Sequence, residues 1–342
     1  MGYYPIYQRS DMPVAEIPFN KLTHLAIGGV TPQSDGSIST LPFADSTTWT
    51  SFVPGLVTHA HDAGRKVILM VGGAGSASGF VPAASSANRV AFANNLVNFA
   101  KQYNLDGIDL DWEPLQSTDL TSLEELAKAI RVAWPSVILT APVEFINVNY
   151  QTVDPAWARI AMQFDQINIM TYSMAGNYSG WQSWHHSPLY GETATTPTSI
   201  DSSALAWLAA GVPASKLGVG AGFYGLCYTA PVTAPKQNLN GSSTIGDDNT
   251  LAYRIILSDY YSASARQWDS EAQTPYLSFT AATGAHQCTY LSYTDTESLA
   301  AVANYIKIHQ LGGIIIWTVN EGHLTSGTDR DPLISALFTG LQ

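Results

Sequence analysis

From one end to the other the chain repeats a single pattern, a short apolar, β-branched run followed by a stretch with helical periodicity. Strands that alternate with helices in this way belong to βαβ units and a parallel sheet. The runs read as strands near Tyr3–Pro5, His24–Gly28, Val67–Val71, Gly107–Asp111, Val137–Thr140, Gln166–Thr171, Leu217–Ala221 and Gly313–Trp317. Several are apolar throughout, as strands covered on both faces must be. Eight such units can close into a barrel or stay open as a doubly wound sheet, and periodicity alone does not choose.

Between the strands, Ala87–Tyr103 places Val90, Phe92, Leu96 and Phe99 at near-helical spacing behind a capping candidate, Ser86. Thr121–Val132 and Thr296–Gln310 behave similarly, and Gly312 fits a left-handed stop after the second of these. From Tyr228 to Tyr290 the rhythm breaks. Thr, Ser, Asn and Gly dominate, and Leu251–Leu257 and Tyr276–Phe279 read as short strands. The expected organisation is a barrel or sheet domain over 1–226 and 291–342, with a small α+β insertion over 227–290. Cys227 and Cys288 flank that insertion, where they can pair across its base or remain two buried thiols.

With 27 acidic against 15 basic residues the formal charge is −12. No Lys/Arg cluster is present to neutralise phosphates, which argues against a nucleic acid partner. No apolar run reaches the length of a membrane span, and an uncharged polysaccharide suits this balance. Strand-like sequence begins at Gly2, so the expectation is a secreted protein whose export signal has been removed.

The richest segment is Asp106-Gly107-Ile108-Asp109-Leu110-Asp111-Trp112-Glu113. On a strand, alternate side chains share a face, so Asp109, Asp111 and Glu113 line up while Ile108 and Leu110 point the other way. Three acids on one side of a buried strand cannot all ionise cheaply, because like charges raise each other's pKa. Such a stack holds a shared proton and can present an acid near neutral pH, which protonation of a glycosidic oxygen requires. Strand-end acids in solvent, or a divalent cation site, fit the bare D-x-D-x-E spacing as well.

The full run DGIDLDWE resembles the catalytic signature of the family 18 glycoside hydrolases, the chitinases and their relatives. Other segments resemble that family in order: GYYP at 2–5, THLAIGG at 23–29, VGG at 71–73, QFDQINIMTYS at 163–173, HHSPLYG at 185–191, GVGAGFYG at 218–225 and GGIIIW at 312–317. LAY at 251–253 and WDSEAQTPYL at 268–277 are similar to parts of the α+β insertion carried by one subfamily. The resemblance implies a (β/α)8 TIM barrel with that insertion between strand seven and the last helix. It also implies an endo-acting chitinase that cleaves chitin and chito-oligosaccharides with retention, as a monomer without metal or other cofactor.

Carried over residue by residue, Glu113 protonates the glycosidic oxygen and later activates water. The substrate's own acetamido oxygen attacks the anomeric carbon, Asp111 holds the acetamido N–H, and Asp109 shares the proton. Tyr172 orients the acetamido carbonyl, and Trp317 forms the floor under the sugar. Met170, Tyr224, Tyr3 and Ser173 fall on substrate-lining positions. Trp181, Trp184 and Trp268 lie in expected loops, where exposed indoles stack on sugars; Trp268 can equally anchor the insertion. His185 and His186 read as loop scaffolding, since no third metal ligand is suitably spaced.

Ser173 and Leu226 stand where the family usually has Asp and Arg. Ala74 and Gly29 replace expected aromatics, so the glycone-side stacking platform is expected to be thin. Three other functions share parts of this pattern: a non-catalytic lectin of the same fold, an endo-β-N-acetylglucosaminidase acting on N-glycans, and a metal-dependent barrel hydrolase. Glu113 argues against the lectin, and the aromatic loops and insertion favour chitin over N-glycans.

Overall fold

The computed structural model describes residues 1–149 and 152–342. Its strands in chain order begin with β1 (Gly2–Pro5), β2 (His24–Pro32), β3 (Ile38–Ser39), β4 (Lys66–Gly73), β5 (Gly107–Trp112), β6 (Ile138–Val143), β7 (Gln166–Ile169) and β8 (Leu217–Gly222). They continue with β9 (Gly225–Thr229), β10 (Thr244–Ile245), β11 (Arg266–Asp269), β12 (Thr274–Thr283), β13 (Cys288–Tyr293) and β14 (Gly313–Trp317). One sheet runs β1-β14-β8-β7-β6-β5-β4-β2-β3, and β1 also pairs in parallel with β2. That pairing closes eight strands into a (β/α)8 barrel, leaving β3 as a short antiparallel hairpin on β2.

The helices are α1 (Ser46–Ser51), α2 (Val53–Asp62), α3 (Ala77–Ala83), α4 (Arg89–Gln102), α5 (Leu120–Ala133), α6 (Trp157–Ile160), α7 (Ile200–Ala209), α8 (Tyr253–Ile255), α9 (Thr296–Ile308) and α10 (Pro332–Leu341). Helix α4 buries Phe92, Ala93, Leu96, Val97 and Ala100, a stripe at three- and four-residue spacing. Val90 lies off that stripe and is exposed, contrary to its expected place on the apolar face. Ser86 does not cap this helix: Asn88 is the N-cap, and its amide is engaged by the carbonyls of Ser34 and Pro82. At the end of α9 the left-handed residue is Gln310, not Gly312, and Leu311 N–H closes the turn on the Ile306 carbonyl.

A second, antiparallel sheet runs β10-β9-β13-β12-β11. Tyr276–Phe279 falls inside β12 as expected. Leu251–Leu257 does not form a strand. It enters α8 and a π-helical turn over Ile256–Tyr260, burying Tyr253, Ile256 and Tyr260 at helical spacing. Cys227 on β9 and Cys288 on β13 are joined in a disulfide.

Two compact units divide the chain. The first holds Met1–Val143, Asp154–Asn168 and Ala210–Gly218; the second holds Glu144–Val153, Ile169–Ala209 and Val219–Gln342. Among the described residues, no helix is long and apolar enough to cross a membrane.

Candidate functional site

In the first unit the chemistry is concentrated on β5. Asp106, just before the strand, accepts from the Val67 N–H at 2.9 Å, from Lys66 Nζ at 2.8 Å and from His61 Nε2 at 2.8 Å. Burial pushes its carboxyl up, but these donors outweigh that and hold it below the usual range. It clamps the start of the strand. Two-residue alternation then sends Asp109 and Asp111 to one face, while Ile108, Leu110 and Trp112 are buried on the other. The Trp112 ring lies parallel to Phe80 of α3 at 4.8 Å between centroids.

Asp109 is fully buried. Its Oδ2 accepts the Tyr3 hydroxyl at 2.7 Å, and its Oδ1 accepts the Thr140 hydroxyl. Burial raises its pKa to about 6, partly offset by those two donors. Asp111 is raised well above the carboxylate range, first by burial and then by the charges of Glu113 and Asp109. Its Oδ1 is buried without a hydrogen-bond partner among the described residues. Two neighbouring carboxyls whose ionisation is suppressed store protons beside the half-buried Glu113.

The backbone around Glu113 is fixed from the turn after β4. Ser76 Oγ donates to the Asp111 carbonyl at 3.0 Å and accepts from the Glu113 N–H at 3.2 Å. Ala77 N–H donates to the Glu113 carbonyl at 2.9 Å. At Gly72, φ is +101°, and a Cβ there would lie 2.2 Å from the Asp111 carbonyl oxygen, so only glycine fits. The glycine-rich stretch after the third apolar run is the one sequence signal for the turn that holds Ser76. Tyr3, expected on the substrate surface, is 2% exposed with its hydroxyl on Asp109, so it acts through that acid.

Beside Gly29, where the expected aromatic is missing, the chain places the ring of Phe43. A Cβ on Gly29 would lie 3.4 Å from the Phe43 ring, and one on Gly73 would lie 3.9 Å from it and 3.9 Å from Asp111 Oδ2. Phe43 in turn stacks on the exposed Tyr7, at 6.5 Å between centroids. A loop residue thus supplies aromatic surface over Gly29.

The expected strand Gln166–Thr171 stops at Ile169, the residue at which the second unit resumes. Thr171 replaces ladder bonds with its side chain, donating to the Gly220 carbonyl at 2.7 Å and accepting from the Gly220 N–H at 2.8 Å. Tight turns at Thr171 and Tyr172 follow, and Ser173 takes a left-handed φ of +50°. Ser173 Oγ meets the Tyr224 hydroxyl at 2.7 Å, and the Tyr172 and Tyr224 rings pack edge to face at 6.2 Å. Ser173 N–H donates to His186 Nδ1 at 3.2 Å. His186 is fully buried against Tyr224, and burial lowers its pKa to about 3, so it stays neutral. A Cβ on Gly222 would come within 2.6 Å of His186 Nε2.

His185 is buried as well. Its Nε2 pairs with Asp269 at 2.9 Å and its Nδ1 with the Tyr290 hydroxyl at 2.9 Å. Both histidines hold the 185–191 loop, as scaffolding should. Leu226, where charge was expected, is buried in an apolar cluster with Trp184, Tyr228 and Tyr290. Trp184 is no sugar platform. It is completely buried, its Nε1 on the Thr198 carbonyl at 2.8 Å, because the loop folds it into that cluster. Trp181 packs half-buried against the same cluster, with the exposed Tyr178 edge-on at 4.9 Å. Trp268 is half-buried on β11 beneath the Arg266 guanidinium. Met170 is half-buried where the chain leaves β7. Trp317, half-buried at the end of β14, donates its indole N–H to Asp248 Oδ2 at 2.8 Å.

A closed barrel with paired acids on one strand and their protons retained by burial is a frame for acid–base hydrolysis. The family model for the glycosyl hydrolases family 18 matches residues 1–322, and the chain belongs to that family. It is 30% identical over 282 residues to a probable endochitinase of Caenorhabditis elegans, and 31% identical over 291 residues to chitinase A1 of Niallia circulans. Each match covers 75% of this chain but only 44% and 40% of those relatives, so the chain spans under half of their length. Among solved structures, the Rhizomucor miehei chitinase RmChi1 is 28% identical with a TM-score of 0.80, covering 100% of this chain and 99% of that one.

Proposed function

We propose that the chain is a secreted, monomeric, endo-acting chitinase that cleaves β-1,4-linked N-acetylglucosamine polymers and oligomers. Glu113 protonates the glycosidic oxygen, and the substrate's acetamido oxygen attacks the anomeric carbon to give an oxazolinium intermediate. Water activated by Glu113 then opens that intermediate with net retention. Asp111 takes the acetamido N–H and stabilises the developing charge, Asp109 exchanges the proton with it, and Tyr172 orients the acetamido carbonyl. Trp317 carries the reacting sugar, with Met170, Tyr224 and Ser173 around it, and Trp181 and Trp268 serve outer sugars. The segment 227–290 is assigned to an insertion domain on the 1–226 and 291–342 barrel.

The observation that carries this reading is the Asp109–Asp111 face of β5, two buried acids with raised pKa, with the half-buried Glu113 directly after the strand. A general acid contributes about 10²–10⁴-fold. Glu113→Gln should therefore lower turnover of chito-oligosaccharides by at least about a hundredfold, with oligosaccharide binding and melting temperature retained. Near-normal turnover in the purified variant would sink the assignment. Cello-oligosaccharides, which lack the acetamido nucleophile, should not be cut.

A further inference from the structure

Asp248 lies in a turn that fixes its carboxylate at both oxygens. Asp247 Oδ1 accepts from the N–H groups of Asn249 at 2.9 Å and Thr250 at 3.3 Å, and the Leu251 N–H closes the turn on the Asp247 carbonyl at 2.9 Å. Asn249 Nδ2 donates to Asp248 Oδ1 at 2.8 Å, leaving Oδ2 for the Trp317 indole N–H at 2.8 Å. The residues on either side, Asp247 and Asn249, are exposed, whereas Asp248 is half-buried. The turn is tied to the segment after β8: Gly225 N–H donates to the Leu251 carbonyl at 3.0 Å, and Tyr253 N–H to the Phe223 carbonyl at 2.7 Å. Phe223 N–H in turn donates to the Trp317 carbonyl at 2.7 Å. One short stretch of backbone therefore holds both the indole and the acid that grips it.

An indole has a single polar handle, its Nε1–H, and a carboxylate there makes a charge-assisted bond stronger than a neutral one. That bond does two things. It fixes the rotation of the ring, which sets the plane a sugar face must meet. It also places negative charge in the ring plane at the N–H, which shifts electron density onto the π-face. The face of an aromatic ring is already its negative side, and the C–H groups of a pyranose face are weakly positive. Both effects strengthen stacking, and a binding contact held rigid before the ligand arrives loses less entropy when it is used.

We infer that Asp248 is a positioning residue for sugar binding, acting through Trp317 to set the affinity of the subsite whose floor is that indole. The ligand is the apolar face of an N-acetylglucosamine unit. The inference rests on the reading of Trp317 as a sugar floor in the proposed function.

A double-mutant cycle tests it, read as kcat/KM on the N-acetylglucosamine tetramer with melting temperatures in parallel. Asp248→Ala should lower kcat/KM about tenfold, the scale of losing one charged hydrogen bond. Asp248→Asn, which keeps an acceptor oxygen but loses the charge, should cost about threefold. Trp317→Phe keeps a ring and removes the N–H, so adding Asp248→Ala to it should cost less than about twofold more. Melting temperatures of both Asp248 variants should match the parent, since the turn is closed by Asp247. An Asp248→Ala variant with unchanged kcat/KM, or one that loses as much in the Trp317→Phe background as with the indole in place, overturns the role of Asp248 alone. An unaltered protein that cleaves no chito-oligosaccharide overturns the chitinase reading, and the inference with it.

Discussion

The segment that carries Asp109, Asp111 and Glu113 and the loops that carry Tyr172, Ser173 and His186 each hold fully buried titratable groups, and burial acts on these in opposite senses. On β5 it suppresses ionisation of acids, raising Asp109 to about 6 and pushing Asp111 in the same direction, where the charges of Glu113 and Asp109 add to burial. In the second unit it suppresses protonation of bases, lowering His186 to about 3 and His185 in the same direction. The same desolvation thus yields a proton reservoir in one place and a neutral, rigid scaffold in the other. The acids face each other on one strand, so their like charges add to desolvation. His186 sits among Tyr224, Gly222 and a backbone N–H, and burial is what lowers it.

The sharpest way to break the comparison is Asp111→Asn. It removes the acid whose pKa is raised by the charges of both Glu113 and Asp109. Turnover should fall by about two to three orders of magnitude, the scale of a charge-stabilising group in an active site, while the melting temperature at pH 7 is unchanged or higher. Activity within tenfold of the parent would mean that the stack is structural.

Stability against pH reads the two regions separately. For Asp109 the folded pKa is about 6 against 3.8 in the free group, so the folded state binds the proton more tightly. Its contribution is best below pH 3.8 and is lost as pH rises towards 6. For His186 the folded value is about 3 against 6.5, so its contribution is intact above pH 6.5 and is lost as pH falls towards 3. The slopes oppose and flatten the profile. Asp109→Asn should remove the acid-side slope, gaining stability relative to the parent between pH 4 and 7 by up to about 3 kcal/mol, at roughly 1.4 kcal/mol for each tenfold change in proton affinity. Denaturant midpoints at pH 4, 5.5 and 7 measure this. A constant difference across the series would show that Asp109 does not hold the raised proton.

Thr171→Val probes the second region. It is nearly isosteric but removes both side-chain bonds to Gly220, leaving a buried N–H and C=O unpaired. Stability should drop by about 1–3 kcal/mol, and turnover by about tenfold if the turn it anchors sets Tyr172. Loss of stability with full turnover would separate the turn from the chemistry.

These regions were not equally legible in the sequence. The acid face follows from two-residue alternation on one strand, a local rule that needs no knowledge of the rest of the chain. The second region depends on closures that no periodicity records. The apolar run into Met170 and Thr171 read as continuous strand, but the Thr171 hydroxyl takes over the ladder and ends it at Ile169. Trp184 read as an exposed loop indole because its loop is polar. Tertiary packing drew it into the cluster of Tyr228 and Tyr290. Leu251–Leu257 is an apolar run of strand length and instead packs at helical spacing. The disulfide was legible only as a possibility, since two cysteines that flank an insertion can pair or stay apart. The break in rhythm from Tyr228 to Tyr290 marks most of the second sheet, which extends from Gly225 to Tyr293.

Phe43 is the point where the first region, too, departs from local rules. The sequence gap at Gly29 and Ala74 implied missing aromatic surface. Phe43 comes from the loop after β3, with no periodic signal, and its ring covers the ground above Gly29 and Gly73 while stacking on Tyr7. If that pair receives a sugar remote from the bond being cut, its binding energy is available only to longer substrates. Phe43→Ala should then weaken hexamer cleavage about threefold, less than the cost of a fully buried stacking contact because Tyr7 remains. Trimer cleavage should be nearly unchanged, and the melting temperature only slightly lower, since Phe43 is half-buried. Comparing kcat/KM along a series from trimer to hexamer measures the effect. A loss that is equal at every length would assign Phe43 to packing around Met70 and the β4 glycines, and would leave the stacking platform as thin as the sequence implies.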